Sequence, residues 1–314
     1  MLPSVRKKRR PFPELTYANA SHPRLKRWFI RSVEDLSGRK RYAERYDHWR
    51  REIAPTGDRV FGRMLDLIGV SVRCLDPWPP AALPQTPLVI VANHPFGIGD
   101  GIAALALAEQ LGRPFKVMIN AELLKIPEMT AYSLAVDFRE TKEALQNNLA
   151  IRHEALRLLK EGVTIVVFPS GGVATAPRGF GDAEDLPWKM FPARLILEAR
   201  ASVIPLYFSG QNGRLFHLVS QPMLRAERQQ GRLGRFLGDV SLTLRTSLLI
   251  REFVRLSGKT IDVRIGNTIG PDELARIGDR KALIHHLHRV VFALAPEKPA
   301  RPREARKRLK AKAA

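Results

Sequence analysis

Residues 88–101, LVIVANHPFGIGDG, decide how the chain is read. Leu88 to Ala92 are apolar and mostly β-branched, with the length and composition of a parallel strand covered on both faces. Asn93, Pro95, Gly97 and Gly99 then break regular structure. From Gly101 the sequence GIAALALAEQLG reads as helix, with Gly112 as its stop. In open α/β sheets, chemistry gathers where strands end and helices begin. Here that junction holds His94 and Asp100.

Two readings of this pair stand side by side. In one, Asp100 is the N-cap of the helix and accepts free backbone N–H groups, while His94 is a turn residue with a structural hydrogen bond. In the other, His94 is a general base whose far ring nitrogen is held by Asp100. An imidazole titrates near neutrality, and a carboxylate on its other nitrogen fixes the tautomer and raises basicity. The glycines favour the second reading, because they let a substrate approach the backbone.

Further along, the layout repeats. Phe115 to Ile119 reads as a strand, and residues 141–161 as a helix stopped by Gly162. Val163 to Phe168 is then a buried strand, followed by the turn Pro169-Ser170-Gly171-Gly172. A glycine pair after a strand exposes N–H groups that hold an oxyanion or a phosphate. Ser170 raises a covalent alternative with His94 as base, but the elbow G-x-S-x-G that such a nucleophile needs is absent.

The remaining segments complete an alternating pattern. Residues 42–70 read as helix, and the prolines from Pro77 to Pro87 as a linker. Ala193–Arg200 reads as helix, Val203–Phe208 as a strand interrupted by Pro205, and the stretch after Gly210 as a polar loop. Residues 240–256 are amphipathic, Thr260–Ile265 is a last strand and Ala282–Leu294 a closing helix. Strands alternating with helices predict an α/β fold, a central mostly parallel or mixed β-sheet flanked by helices. The division expected is a basic arm with an amphipathic helix over 1–55, a main domain over 56–295, and a basic disordered tail over 296–314.

Charge narrows the partners. Lys and Arg number 52 against 31 Asp and Glu, a formal +21, which points to nucleic acid, an anionic membrane or an acidic protein. No apolar run is long enough to cross a bilayer, and no signal peptide is visible. Leu25, Trp28, Phe29, Val33 and Leu36 share one helical face with Lys26, Arg27 and Arg31 off it, as suits an interfacial helix or a helix docked on the core. A single cysteine, Cys74, excludes a disulfide framework. His285, His286 and His288 have no matching ligand cluster and read as solvated surface. A nucleic-acid-binding protein, argued from charge alone, leaves the His/Asp turn unexplained. A lipid-binding protein without catalysis is the third class.

The residues Asn93 to Gly101 resemble the signature of the glycerolipid, or lysophospholipid, acyltransferases, in which a histidine and a downstream aspartate sit at a strand–helix turn. The HX5D spacing here is one residue longer than the family's usual pattern and is similar to its hemolysin branch, which includes lyso-ornithine-lipid acyltransferases. Phe168 to Gly172 correspond to the family's Phe-Pro-Glu-Gly block, and Val203 to Leu206 to its apolar-proline block. Residues 244–265 also look like the hemolysin branch, and the resemblance spans about residues 25–295. It implies a glycerolipid acyltransferase-like fold and direct transfer of a fatty-acyl group from a thioester, acyl carrier protein or coenzyme A, to a hydroxyl of a lysolipid. His94 would be the base and Asp100 its orienting carboxylate, with no metal and no cofactor. Substrate binding is expected at Asn93, Pro95, Phe96, Gly97, Gly99, Phe168, Pro169, Ser170, Gly171, Gly172 and Pro205. Ser170 replaces the family's glutamate, which favours an aminolipid acceptor over lysophosphatidic acid. The location implied is the cytoplasmic face of the inner membrane, peripheral, with an anionic bilayer as partner and no nucleic acid.

Overall fold

The computed structural model describes residues 12–16, 18, 23–36, 38–120, 126–137, 141–226 and 244–296. Most of the basic arm, the tail from 297 and residues 240–243 of the amphipathic stretch lie outside these. Arg24–Leu36 (α1), Arg39–His48 (α2) and Val60–Ile68 (α3) open the chain, and Val70–Cys74 (β1) follows at once. Continuous helix over 42–70 is therefore corrected. Pro55 falls in a short turn after α2, and Gly57 and Gly69 take left-handed φ of +68° and +69°, which ends one helix and releases the next segment into a strand.

Leu88–Ala92 (β2), Phe115–Asn120 (β3), Ser133–Val136 (β4), Thr164–Val167 (β5), Ser202–Phe208 (β6) and Lys259–Ile265 (β7) complete a seven-stranded sheet in the order β1-β7-β6-β2-β5-β3-β4. Every neighbouring pair is parallel except β6–β7, so the sheet is mixed and mostly parallel, as expected. The helices are Ile98–Glu109 (α4), Lys142–Lys160 (α5), Phe191–Ala199 (α6), Arg214–Ala226 (α7), residues 244–254 (α8), Pro271–Arg276 (α9) and Arg280–Ala293 (α10).

The central strand shows why its sequence is apolar throughout. Side chains alternate across a strand. Leu88, Ile90 and Ala92 pack with Phe61 of α3 and Leu105 of α4 on one face, while Val89 and Val91 pack with Leu159 of α5, Leu195 of α6 and Leu287 of α10 on the other. Each large aliphatic side chain buried this way contributes about 1.5–3 kcal/mol. Tyr46, Trp49 and Ile53 join the first of these cores.

Pro205 does not interrupt β6. Its carbonyl accepts the N–H of Gly266 at 2.9 Å, on the same side as the Val203–Ile269 bridge. Its missing N–H thus faces the gap where residues 266–268 leave the ladder, a place where a strand tolerates proline. The expected polar loop after Gly210 is corrected to helix α7. Among its described side chains that helix buries His217 and Ser220 beside Phe216 and exposes Leu215 and Leu218, so polar and apolar residues are mixed on both faces. In α1, Ile30 and Glu34 are buried and Val33 packs beside Val173, Phe216 and Leu248, whereas Trp28 is 65% and Leu36 89% exposed. The five apolar residues read as one face thus divide, Val33 packing inward and the other four exposed. His286 and His288 are half-buried rather than solvated, with the His288 ring stacked 4.3 Å from Phe292.

Candidate active site

Asn93 ends β2 by replacing a ladder step with its side chain. Its amide nitrogen donates to the Phe208 carbonyl at 3.0 Å, and its amide oxygen accepts the Phe208 N–H at 2.7 Å. The chain can then turn without leaving β6 unpaired. The next residue, His94, is held at both ends of its peptide unit. Its N–H donates to Asp185 Oδ1 at 3.1 Å, and its carbonyl accepts the Ala174 N–H at 2.7 Å. Its ring lies against Phe168, with centroids 4.3 Å apart.

His94 Nδ1 stands 3.0 Å from Asp100 Oδ1, and the Asp100 side chain is fully buried. At that distance the buried carboxylate acts on the ring both by its charge and as an acceptor on the Nδ1 side. Asp100 Oδ2 accepts the Phe96 N–H at 2.9 Å. Helix α4 begins at Ile98, three residues before the expected start, with Gly97 as its N-cap at φ +80°. Asp100 is therefore the third helical residue and not the N-cap. It reaches back to the entering chain as the acidic residue of a capping box does, at the positive end of the helix. The same carboxylate orders the turn and faces the imidazole.

Charges meet at His94 from three elements. Burial disfavours its protonated form, but the Asp100 carboxylate and, more weakly, that of Asp185 outweigh this and hold the ring's pKa above the ordinary 6.5, against the opposing charge of Arg245. Burial pushes the Asp185 carboxyl up, while the N–H groups of Trp188 and His94 and the histidine's charge act in favour of its anion. Arg245, buried on α8, donates to the Val173 carbonyl and lies over the Phe216 ring.

The second turn closes on itself. The Gly171 N–H donates to the Phe168 carbonyl at 2.9 Å, with Gly171 at φ +63°. Ser170 is buried, and its hydroxyl donates to the Gly172 carbonyl at 2.8 Å rather than to His94. The expected pair of oxyanion donors is thus reduced to Gly172, whose N–H meets no acceptor among the described residues. At Gly97 and Gly99 the close approach is made by the protein's own side chains, whereas Gly101 faces open space. A Cβ on Gly97 would stand 2.9 Å from Val173 and 3.1 Å from Leu249, and one on Gly99 would run into Leu256. These glycines let α8 and the second loop pack onto the turn.

The other expected residues divide. Pro95 is buried beside the turn, and Phe96 fills the core under Gly210, where a Cβ would meet its ring at 2.6 Å. Pro169 accepts the Lys189 N–H through its carbonyl at 2.9 Å. Pro205 is not brought to the turns: it lies within β6 with its ring against Gly266. Asp185, Trp188 and Arg245 were not foreseen from sequence. Among the described residues no group of three His, Cys, Asp or Glu side chains is placed to hold a metal. Next to the turn lies an apolar cavity of about 170 Å³, lined by Ile98 and Ile102 of α4 together with Trp49, Leu67, Ile250 and Phe253.

Residues 75–209 match the acyltransferase family model, a span that contains both turns. The structure is similar to that of the 1-acyl-sn-glycerophosphate (LPA) acyltransferase PlsC from Thermotoga maritima, with a TM-score of 0.48 and 16% identity over 86% of this chain and 92% of that one. No curated protein matches the sequence.

Proposed function

We propose, taking residues 75–209 as an acyltransferase-family domain, that this acyltransferase moves a fatty-acyl group from an acyl thioester to a hydroxyl of a lysolipid. The observation that carries the reading is the 3.0 Å approach of His94 Nδ1 to Asp100 Oδ1 at the end of the central strand. With Nδ1 turned to the carboxylate, Nε2 is the nitrogen left to take a proton. It removes the proton of the acceptor hydroxyl as that oxygen attacks the thioester carbonyl. Asp100 steadies the imidazolium that forms, and the Gly172 N–H, which meets no acceptor among the described residues, serves as donor to the developing oxyanion. Collapse breaks the C–S bond, and the thiolate leaves with the proton that His94 holds. The chain carries the acyl group on none of its own side chains.

The apolar cavity beside Ile98 and Ile102 suits the acyl chain, since it starts at the helix that carries Asp100. The formal charge of +21 suits an acidic acyl carrier protein or coenzyme A as donor and an anionic bilayer as surface. No helix among the described residues is long and apolar enough to cross a membrane. The exposed Leu25, Trp28, Phe29 and Leu36 on α1 suit peripheral attachment at the cytoplasmic face. Ser170, where the family's block has a glutamate, favours an aminolipid such as lyso-ornithine lipid over lysophosphatidic acid. The test is a panel: purified protein with labelled acyl carrier protein or acyl-coenzyme A and each lysolipid in turn. Acylation of the aminolipid above all others is expected; selective acylation of lysophosphatidic acid would overturn the acceptor.

A further inference from the structure

We infer that Asp185 is a positioning residue for His94, fixing its main chain and setting how readily its ring takes a proton. The inference rests on the base role proposed for His94. Asp185 arrives from a segment that folds back over the second turn. Thr175 and Glu184 pair as an antiparallel bridge, and the Lys189 N–H ties the far side to the Pro169 carbonyl. Leu186 closes the fold-back, since a Cβ on Gly172 would stand 2.9 Å from its side chain. The second turn itself carries Ser170 and no carboxylate, and the fold-back supplies one.

Both oxygens of Asp185 are engaged. Oδ1 accepts the His94 N–H at 3.1 Å, and Oδ2 accepts the Trp188 indole N–H at 2.9 Å. The indole packs edge-on to His288, at 5.1 Å, and against Phe292, so the carboxylate is braced against α10. A neutral acceptor would satisfy the same two donors without the cost of desolvating a charge. The charge itself therefore has a use at this position. The charged groups that face His94 are Asp100 from α4, Asp185 from the fold-back and Arg245 from α8. The two carboxylates favour the imidazolium that the transfer step creates, and the guanidinium opposes it.

The experiment follows the His94 ring by NMR in the full chain, assigned with His94→Gln, alongside the pH profile of kcat/KM. Asp185→Asn is nearly isosteric and removes the charge. Its expected effect is a fall in the His94 midpoint, because one of the two carboxylates that favour the imidazolium is removed. The acid limb of kcat/KM should move by the same amount. Asp185→Glu restores the charge with a longer arm that displaces the His94 main chain, so the midpoint should return toward wild type while kcat falls. If Asp185→Asn does not fold, Trp188→Phe withdraws the N–H that supports the anion and should also lower the midpoint. An unchanged His94 midpoint in either folded charge-weakened variant overturns the inference. The ring titration needs no substrate. A shifted midpoint in a protein that acylates no lysolipid would keep Asp185 and remove the acyl-transfer reading, and active enzyme with an unmoved midpoint would do the reverse.

Discussion

Asp100 Oδ1 lies 3.0 Å from His94 Nδ1, while the other oxygen of the same carboxylate accepts the main-chain N–H of Phe96. One side chain serves both the His94 ring and the entry to α4. Substitution separates the two. Asp100→Asn keeps an acceptor for Phe96 and loses the charge that steadies the imidazolium. Turnover should fall roughly 10²–10⁴-fold, with a change of only a few degrees in Tm. Steady-state kinetics and a thermal melt read both. Intact turnover with a lowered Tm would leave Asp100 as a helix-terminus residue only.

The pKa of His94 is held above 6.5, and that fixes two signs. The base must be neutral to act, so kcat/KM should climb through a midpoint above 6.5, not below it. A raised folded-state pKa gives stability that is complete below the unfolded value and lost as pH rises through the folded one. The stability advantage of wild type over His94→Gln should therefore be larger near pH 5 than near pH 9, as read by denaturant unfolding at each pH. A constant difference across that range would contradict the assignment.

Ser170 is buried with its hydroxyl turned to the Gly172 carbonyl. Ser170→Ala should retain most activity and lose about 1 kcal/mol of stability. Intact mass spectrometry with excess acyl donor should find no acyl group on the protein. A stable adduct on Ser170 would move the chemistry to a covalent route.

How far the sequence carries depends on where the information lies. The segments Leu88–Ala92 and Thr164–Val167 are legible because strands buried on both faces read as unbroken apolar runs. The edge strand Val70–Cys74 is not, since only Val70 is fully buried and the remaining residues are partly or wholly exposed. Helix α7 escapes for a related reason: its buried face includes His217 and Ser220 and its exposed face includes Leu218. His94 and Asp100 are close in sequence and stand out together. Asp185 meets His94 across 91 residues through a main-chain N–H, a partner that every residue but proline possesses, so nothing in its side-chain pattern marks it.

Membrane attachment should have two components. Basic residues near an anionic surface contribute up to about 1 kcal/mol each and are screened by salt. Burial of Trp28, 65% exposed, and Phe29, 44% exposed, is not screened. High salt should release only part of the protein from anionic vesicles, and Trp28→Glu with Phe29→Glu should make the remainder releasable. Vesicle flotation measures both. Equal binding to neutral and anionic vesicles would remove the charge component, and unchanged salt-resistant binding of the double variant would place the anchor elsewhere.

The base role of His94 is tested most directly by one comparison, acyl transfer from labelled acyl donors to the lysolipid panel by wild type and by His94→Ala. The site is a turn, where the ring is partly accessible and its removal opens no large cavity. His94→Ala should keep the wild-type circular dichroism and melt cooperatively, while transfer falls to background with every donor and acceptor that wild type uses. A soluble, folded His94→Ala protein with wild-type turnover would contradict the base role outright.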